Sequence, residues 1–251
     1  MMSMPTRAIS SPHNPKLKEI RKLSQRRRWR ELSGLFVAEG EDLLAAADAA
    51  GWEPIERYCA SGSGLPGTEV EPRLLASACG LASGTRTLAV YRERWSDHPV
   101  GPLCIYLHAL QDPGNIGTVL RSAEAFGASS VVLGPTCADP YSPKAVRASM
   151  GAVFTVALAR ADPGALPGLR VALVPGQGVP LSDLWRSGLP LAGSGARELS
   201  LLLGSERTGL PKEVAQQADI TAHIPARNHS LNVAMAATVA LYELATRMAR
   251  P

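Results

Sequence analysis

No apolar run in the 251 residues approaches the roughly 20 that cross a bilayer. The basic amino terminus also has no apolar core of the kind a secretory leader carries. A membrane partner is therefore not expected. Cysteine is scarce: Cys59, Cys79, Cys104 and Cys137 form no C-x-x-C pair and have no histidine at ligand spacing. That argues against a zinc site or a disulfide framework and for buried thiols of a cytoplasmic protein, so no metal is expected. The P-loop pattern G-x-x-x-x-G-K-[ST] is missing, which leaves a phosphate-hydrolysing nucleotide site without support. Aromatic residues make up only 5%, a scarcity that excludes nothing, and the 45% hydrophobic content suffices for one large or two small cores.

Acid is what the first segment lacks. Residues 1–30 hold nine basic side chains against one acid, Glu19, so the segment carries +8 and the rest of the chain −4. The run Arg26, Arg27, Arg28 and Arg30 is either a solvated helix face or an arm that contacts RNA phosphates, since clustered Arg and Lys gain affinity by releasing counterions. Trp29 beside it either stacks on a base or anchors the helix to the core.

The first ~95 residues read as a small α/β unit: a strand at 36–38, a helix at 39–50, a strand at 55–59, a Gly-rich loop at 61–67, a helix at 72–78 and a strand at 87–91. Residues 96–102 carry the Pro and Gly of a linker. From 103 the rhythm is strand then helix, with strands expected at 103–107, 131–133, 153–157, 171–174, 201–203 and 220–224 and an alanine-rich helix running to Met248. Such alternation indicates a mostly parallel sheet covered on both faces, whose ligands bind beyond the carboxyl ends of the strands.

Three polar clusters follow strand ends. In Gln111-Asp112-Pro113-Gly114-Asn115-Ile116-Gly117-Thr118, Asn115 is the expected N-cap, leaving the N–H groups of residues 116–118 free for an anion. Arg121, one to two turns on, either pairs with Glu124 or serves a ligand. The G-x-x-G of this cluster is not the dinucleotide fingerprint, so it gives a nicotinamide or flavin reading no support. In Leu203-Gly204-Ser205-Glu206-Arg207-Thr208-Gly209-Leu210, Gly204 is expected to let a flat ligand approach the backbone. In the third, Ile224-Pro225 leads through Asn228, His229 and Ser230 to Leu231-Asn232-Val233, more polar equipment at a helix start than one cap requires.

In this order, and each at a strand end, the clusters resemble the three motifs of the SpoU-type RNA methyltransferases of the SPOUT superfamily. Asn115, Gly117 and Arg121 match the first motif; Gly204, Glu206, Gly209 and Leu210 the second; Ile224, Pro225, Ser230, Leu231 and Asn232 the third. The resemblance covers about residues 103–248, and residues 1–95 resemble, less closely, the ribosomal-protein-L30e-like substrate-binding domain that often precedes this fold. It implies domains at 1–95 and 103–251 joined by a linker at 96–102, and an α/β fold with a mostly parallel sheet and a carboxyl-terminal trefoil knot. It further implies a homodimer and the cofactor S-adenosyl-L-methionine, held by Leu203, Gly204, Ile224 and Leu231. By the same resemblance Arg121 serves the attacking ribose hydroxyl, with Asn115, Glu206, Ser230 and Asn232 positioning it and the ribose. A guanidinium stays protonated, so Arg121 is better read as holding a phosphate and stabilising alkoxide charge than as a base. Arg147 is a second candidate phosphate contact. Where members of the family often carry Met and Ser, this sequence has Ala226 and Ala234.

The implied reaction is 2′-O-methylation of a ribose in RNA. A leading domain with a basic arm favours 23S (large-subunit) rRNA, including the special case of antibiotic resistance. The alternatives are a tRNA ribose methyltransferase and a catalytically idle RNA-binding factor in ribosome assembly.

Overall fold

The computed structural model describes residues 8–79, 84–186, 198–227 and 231–248. In chain order the helices and strands are α1 (Pro15–Gln25), α2 (Arg27–Ser33), β1 (Leu35–Glu39), α3 (Glu41–Ala49), β2 (Glu56–Ala60), β3 (Thr68–Val70), α4 (Pro72–Cys79) and β4 (Thr87–Arg92). They continue with β5 (Leu103–Leu107), α5 (Pro113–Ala125), β6 (Ser130–Leu133), α6 (Pro143–Ser149), β7 (Ala157–Arg160), β8 (Leu169–Leu173) and β9 (Val179–Pro180). The last four are β10 (Leu199–Leu203), α7 (Lys212–Ala215), β11 (Ile220–His223) and α8 (Val233–Met248). Two compact units emerge: residues up to Glu93 together with Asp139–Phe154, and Arg94–Ala138 together with Thr155 onward. The expected division at 96–102 did not foresee that the chain returns to the first unit for residues 139–154.

In the first unit a four-stranded sheet of order β1-β4-β2-β3 pairs antiparallel except at β2–β3, a parallel edge that the expected loop at 61–67 runs into. Asn14 caps α1 by accepting from Lys16 N, and the spacing of Leu17, Ile20 and Leu23 turns one stripe of the helix into the core with Val37, Tyr58, Leu75 and Leu88. A second nucleus is aromatic. Phe36, Trp52 and Tyr91 pack with Tyr141 and Phe154 from the returning segment, whose rings lie 4.6–6.1 Å from theirs between centroids, and the Trp52 indole donates to Phe154 O at 2.8 Å.

The basic arm divides once folded. Arg26 and Arg28 are exposed on the surface, and Arg27 pairs with Glu31 one turn on at 2.8 Å. Arg30 departs from the phosphate-contact expectation. It is 4% exposed, donates through Nε to Asp139 Oδ2 at 2.6 Å and through Nη1 to Leu23 O, because its position in α2 points it inward. A buried guanidinium needs such partners, and at this burial it is not presented to a phosphate on the solvent side. Trp29 packs against the α1 core with the Lys22 ammonium 4.2 Å over its ring, so it anchors the helix and offers no free stacking face.

The second unit is a seven-stranded sheet of order β7-β6-β5-β10-β8-β11-β9, and every recorded pairing is parallel. The expected strand at 153–157 is instead a turn of 3-10 helix at Ala152–Phe154 followed by β7 four residues later. Met150 at φ 51° and Gly151 at φ 104° break the chain, and Phe154 is drawn into the aromatic nucleus, so tertiary packing overrides strand propensity. Strand order reverses between β5 and β10, and that switch point is where open parallel sheets leave a crevice beyond the strand ends.

Candidate active site

Leu203, the last residue of β10, pairs with Leu107, the last of β5, and His108 N donates to Leu203 O at 2.8 Å. The first two polar clusters therefore start side by side at the switch point. Helix α5 begins at Pro113, three residues earlier than expected, because Asp112 rather than Asn115 is its cap and accepts from Gly114 N at 2.8 Å. Ile116 N then bonds Asp112 O at 3.3 Å, so this helix start is closed by its own residues and is not an open anion site.

Relieved of capping, Asn115 bridges the clusters. Its amide Nδ2 donates to Glu206 Oε1, while its Oδ1 accepts from Asn232 Nδ2 at 3.4 Å. Asn232 also caps α8, its Oδ1 accepting from Ala234 N at 2.9 Å and Met235 N at 3.3 Å. One carboxylate and two amides thus tie the three strand-end segments into a chain of hydrogen bonds. One residue beyond Arg121, Ser122 shares a 2.7 Å hydrogen bond with Thr238 and fastens α5 to α8. Arg121 itself is exposed and makes no ion pair among the described residues; Glu124, its expected partner, accepts from Thr155 Oγ1 instead. Ser230 lies outside the described residues.

Gly204 is required for a different reason than ligand approach. A Cβ there would stand 2.0 Å from the carbonyl carbon of Gly209 and 2.2 Å from Leu210 N, so the glycine lets the loop fold back on itself. The fold-back is pinned by Gly209 N on Ser205 O at 3.0 Å and by the Ser205–Thr208 hydroxyl pair at 2.7 Å.

Beside this loop opens a cleft of about 910 Å³, lined by residues from the ends of β8, β10 and β11 and the start of α8. Leu203, Gly204, Ile224 and Leu231 all line it, as does Glu206; Arg121 and Asn115 do not. Pro175, Gly176, Arg207, His223 and Arg227 also line it and were not among the expected site residues, although Arg207 lies inside the second polar cluster and Pro175-Gly176 follow a strand end. His223 is fixed by its Nδ1 contact to Gln177 O at 3.1 Å. At the end of β5, burial lowers the His108 pKa and pushes the Tyr106 phenol up to about 12, leaving an uncharged pair joined through Nδ1 at 3.2 Å. Arg147, on α6 in the first unit, is exposed and 4.0 Å from Glu39. Among the described residues no group of three or more His, Cys, Asp or Glu could hold a metal ion.

Residues 102–242 match the SpoU rRNA Methylase family. This chain belongs to that family. Residues 14–90 of this SpoU methylase match the MRM3-like substrate binding domain. It is 27% identical over 260 residues to the 23S rRNA (guanosine(2553)-2′-O)-methyltransferase RlmP of Bacillus subtilis (strain 168), covering 94% of this chain and 98% of that one. Its structure is similar to the AdoMet-bound rRNA methyltransferase from Sinorhizobium meliloti, with TM-score 0.83, 29% identity and coverage of 98% and 99%. It is also similar to the SpoU methyltransferase AviRb from Streptomyces viridochromogenes in complex with AdoMet, with TM-score 0.80, 26% identity and coverage of 95% and 100%.

A SpoU fold brings S-adenosyl-L-methionine, and the cleft fits it. Its volume lies within the usual range of small-molecule sites. Leu203, Ile224, Leu231 and Val233 offer apolar surface for a purine, and the turn backbones at Gly204 and Pro225 stand beside it.

Proposed function

We propose that this protein methylates the 2′-hydroxyl of a ribose in 23S rRNA. The observation that carries the reading is the hydrogen-bonded chain Glu206–Asn115–Asn232, which joins the three motifs at the edge of the cleft. When bound, S-adenosyl-L-methionine supplies an electrophilic methyl group. In this reading Leu203, Gly204, Ile224 and Leu231 hold it, and Asn115, Glu206, Asn232 and Ser230 position the ribose and Arg121. The exposed guanidinium of Arg121, with no carboxylate to neutralise it among the described residues, holds substrate phosphate and stabilises charge on the attacking oxygen. An alcohol is a weak nucleophile, and alignment in a water-poor cleft contributes as much as proton removal.

The same reading makes Arg26, Arg27, Arg28 and Arg147 contacts for the RNA backbone, while Arg30 drops out. It carries the trefoil knot and a cytoplasmic location; no helix among the described residues is long and apolar enough to cross a membrane. It also makes the protein a homodimer. Met235, Val239 and Tyr242 are 63%, 44% and 57% exposed, and with Leu231 they fall at 3–4-residue spacing along α8. An uncovered apolar stripe of this kind suits a second copy of the same helix. A Met235→Lys/Tyr242→Lys variant that keeps the wild-type mass in solution would remove that support.

The test of the reaction is transfer of labelled methyl from S-adenosyl-L-methionine to unmethylated 23S rRNA, 16S rRNA and tRNA transcripts in parallel. Products are mapped by resistance of the 2′-O-methylated linkage to alkaline cleavage. One protected ribose in 23S rRNA is the expected result. Protection in tRNA alone would move the substrate, and binding without transfer to any RNA would leave an assembly factor.

A further inference from the structure

The walls of the cleft come from three strands that stand side by side, β10, β8 and β11. The middle one contributes the uncharged Pro175 and Gly176, and the outer two each contribute an arginine, Arg207 after β10 and Arg227 after β11. The two arginines thus reach the cleft lining from separate loops, rooted two strands apart with β8 between them. Both are exposed, and among the described residues neither has a hydrogen-bond or ion-pair partner. Other arginines of the same unit are engaged: Arg170 is locked onto Asp219, Arg247 onto Glu243, and Arg160 lies over the Trp95 ring. Among the described residues the one acid lining the cleft, Glu206, has Oε1 taken by the Asn115 amide.

The backbones beneath the two arginines are restrained. Arg207 rides the pinned turn from Ser205 to Gly209, whose tightness depends on Gly204. Arg227 follows Pro225, whose ring fixes its own φ. The cofactor offers a single carboxylate and is otherwise cationic at sulfur, so it does not account for two exposed guanidinium groups on the cleft lining. A nucleotide does, because every ribose in an RNA strand is bracketed by a 5′ and a 3′ phosphate, and guanidinium forks match phosphate oxygens in pairs.

We propose that Arg207 and Arg227 grip the two phosphates flanking the target ribose, one from each loop, and so centre the 2′-hydroxyl over the cleft. The assignment rests on the methyltransferase reading above. It adds specificity determinants that are not among the residues matched to the three motifs, and it separates two kinds of arginine: Arg121 also acts at the reacting oxygen, whereas Arg207 and Arg227 only fix the strand.

The experiment uses Arg207→Ala, Arg227→Ala, the double variant and the matching lysine variants of the full chain. RNA binding is measured against salt by filter retention, cofactor binding by calorimetry, and methyl transfer to the transcript that the wild-type protein modifies. Each alanine should raise the KM for RNA roughly ten-fold and reduce the slope of log affinity against log salt by about 1. Cofactor affinity should stay at the wild-type value, and lysine should restore part of the salt slope. An unchanged salt slope and KM in the double variant would overturn the proposal. So would a loss of cofactor affinity matching the loss for RNA, which would assign the pair to the cofactor carboxylate. If the wild-type protein binds RNA but transfers no methyl, the methyltransferase reading falls while the salt slope still decides the clamp.

Discussion

The two units spend their polar residues differently. The first buries an ion pair, Arg30–Asp139, beside a five-membered aromatic nucleus, and its charges serve cohesion. The second has a parallel sheet with a core mostly of Leu, Ile, Val and Ala and carries its site groups beyond the strand ends, where Glu206 and Asn232 are exposed and Arg121 is unpaired among the described residues. A side chain that must meet a substrate cannot be neutralised by its own fold. The difference therefore separates residues whose loss costs stability from residues whose loss costs activity, and substitutions can test that separation in descending order of effect.

The largest effect belongs to the first unit. Asp139→Ala leaves a buried guanidinium unpaired and should cost about 3–5 kcal/mol in denaturant unfolding. An Arg30→Met/Asp139→Leu double substitution should recover much of that loss, since apolar replacement avoids the desolvation penalty. Next comes Arg121→Ala in the second unit, which should lower methyl transfer about 100- to 1000-fold with the melting temperature and cofactor affinity unchanged. A matching fall in thermal stability would erase the contrast between the units. Asn232→Ala stands between the two kinds. It removes the α8 cap, worth about 1 kcal/mol, and also unhooks Asn115, so stability and transfer should fall together.

The smallest effect is a pH response of opposite sign. Burial raises the Glu39 carboxyl above its ordinary 4.5, with Arg147 and Cys79 only partly opposing it. The native state there binds more protons than the unfolded chain, so this site favours the fold most below pH 4.5 and the benefit is lost as pH rises through the folded pKa. Asp219 in the second unit is held below its ordinary 3.8, first by the Arg170 side-chain hydrogen bonds. Its contribution is complete above pH 3.8 and is lost as pH falls through the folded pKa. Amide exchange followed as pH falls below 3.8 should therefore show protection near β1 holding or rising while protection near the start of β11 declines. Parallel decline in both would remove the distinction.

Much of this architecture was legible in the sequence because parallel strands buried on both faces are short apolar runs, and because polar clusters after such runs mark the functional edge of the sheet. What was hidden depends on partners far away in the chain. Nothing near residue 30 announces that one arginine of a basic run finds an aspartate 109 positions later. Residues 153–157 have good strand composition, yet Phe154 is claimed by distant aromatic rings. Asn115 looked like a cap because amides commonly are, and Asp112 took that place three residues earlier. Arg207 and Arg227 went unremarked because the spatial adjacency of β10, β8 and β11 is not their order along the chain.

The return of residues 139–154 also sets a timetable for synthesis. The chain of the first unit breaks off at Glu93 and is completed only at Phe154, some sixty residues later. At about 5–20 residues per second, translation takes roughly 3–12 s to supply them. Through that interval the nascent chain has Phe36, Trp52 and Tyr91 in hand but neither Tyr141 nor Phe154 to close over them, and Arg30 has no Asp139. The domain that begins first on the ribosome cannot finish until much of the second has emerged.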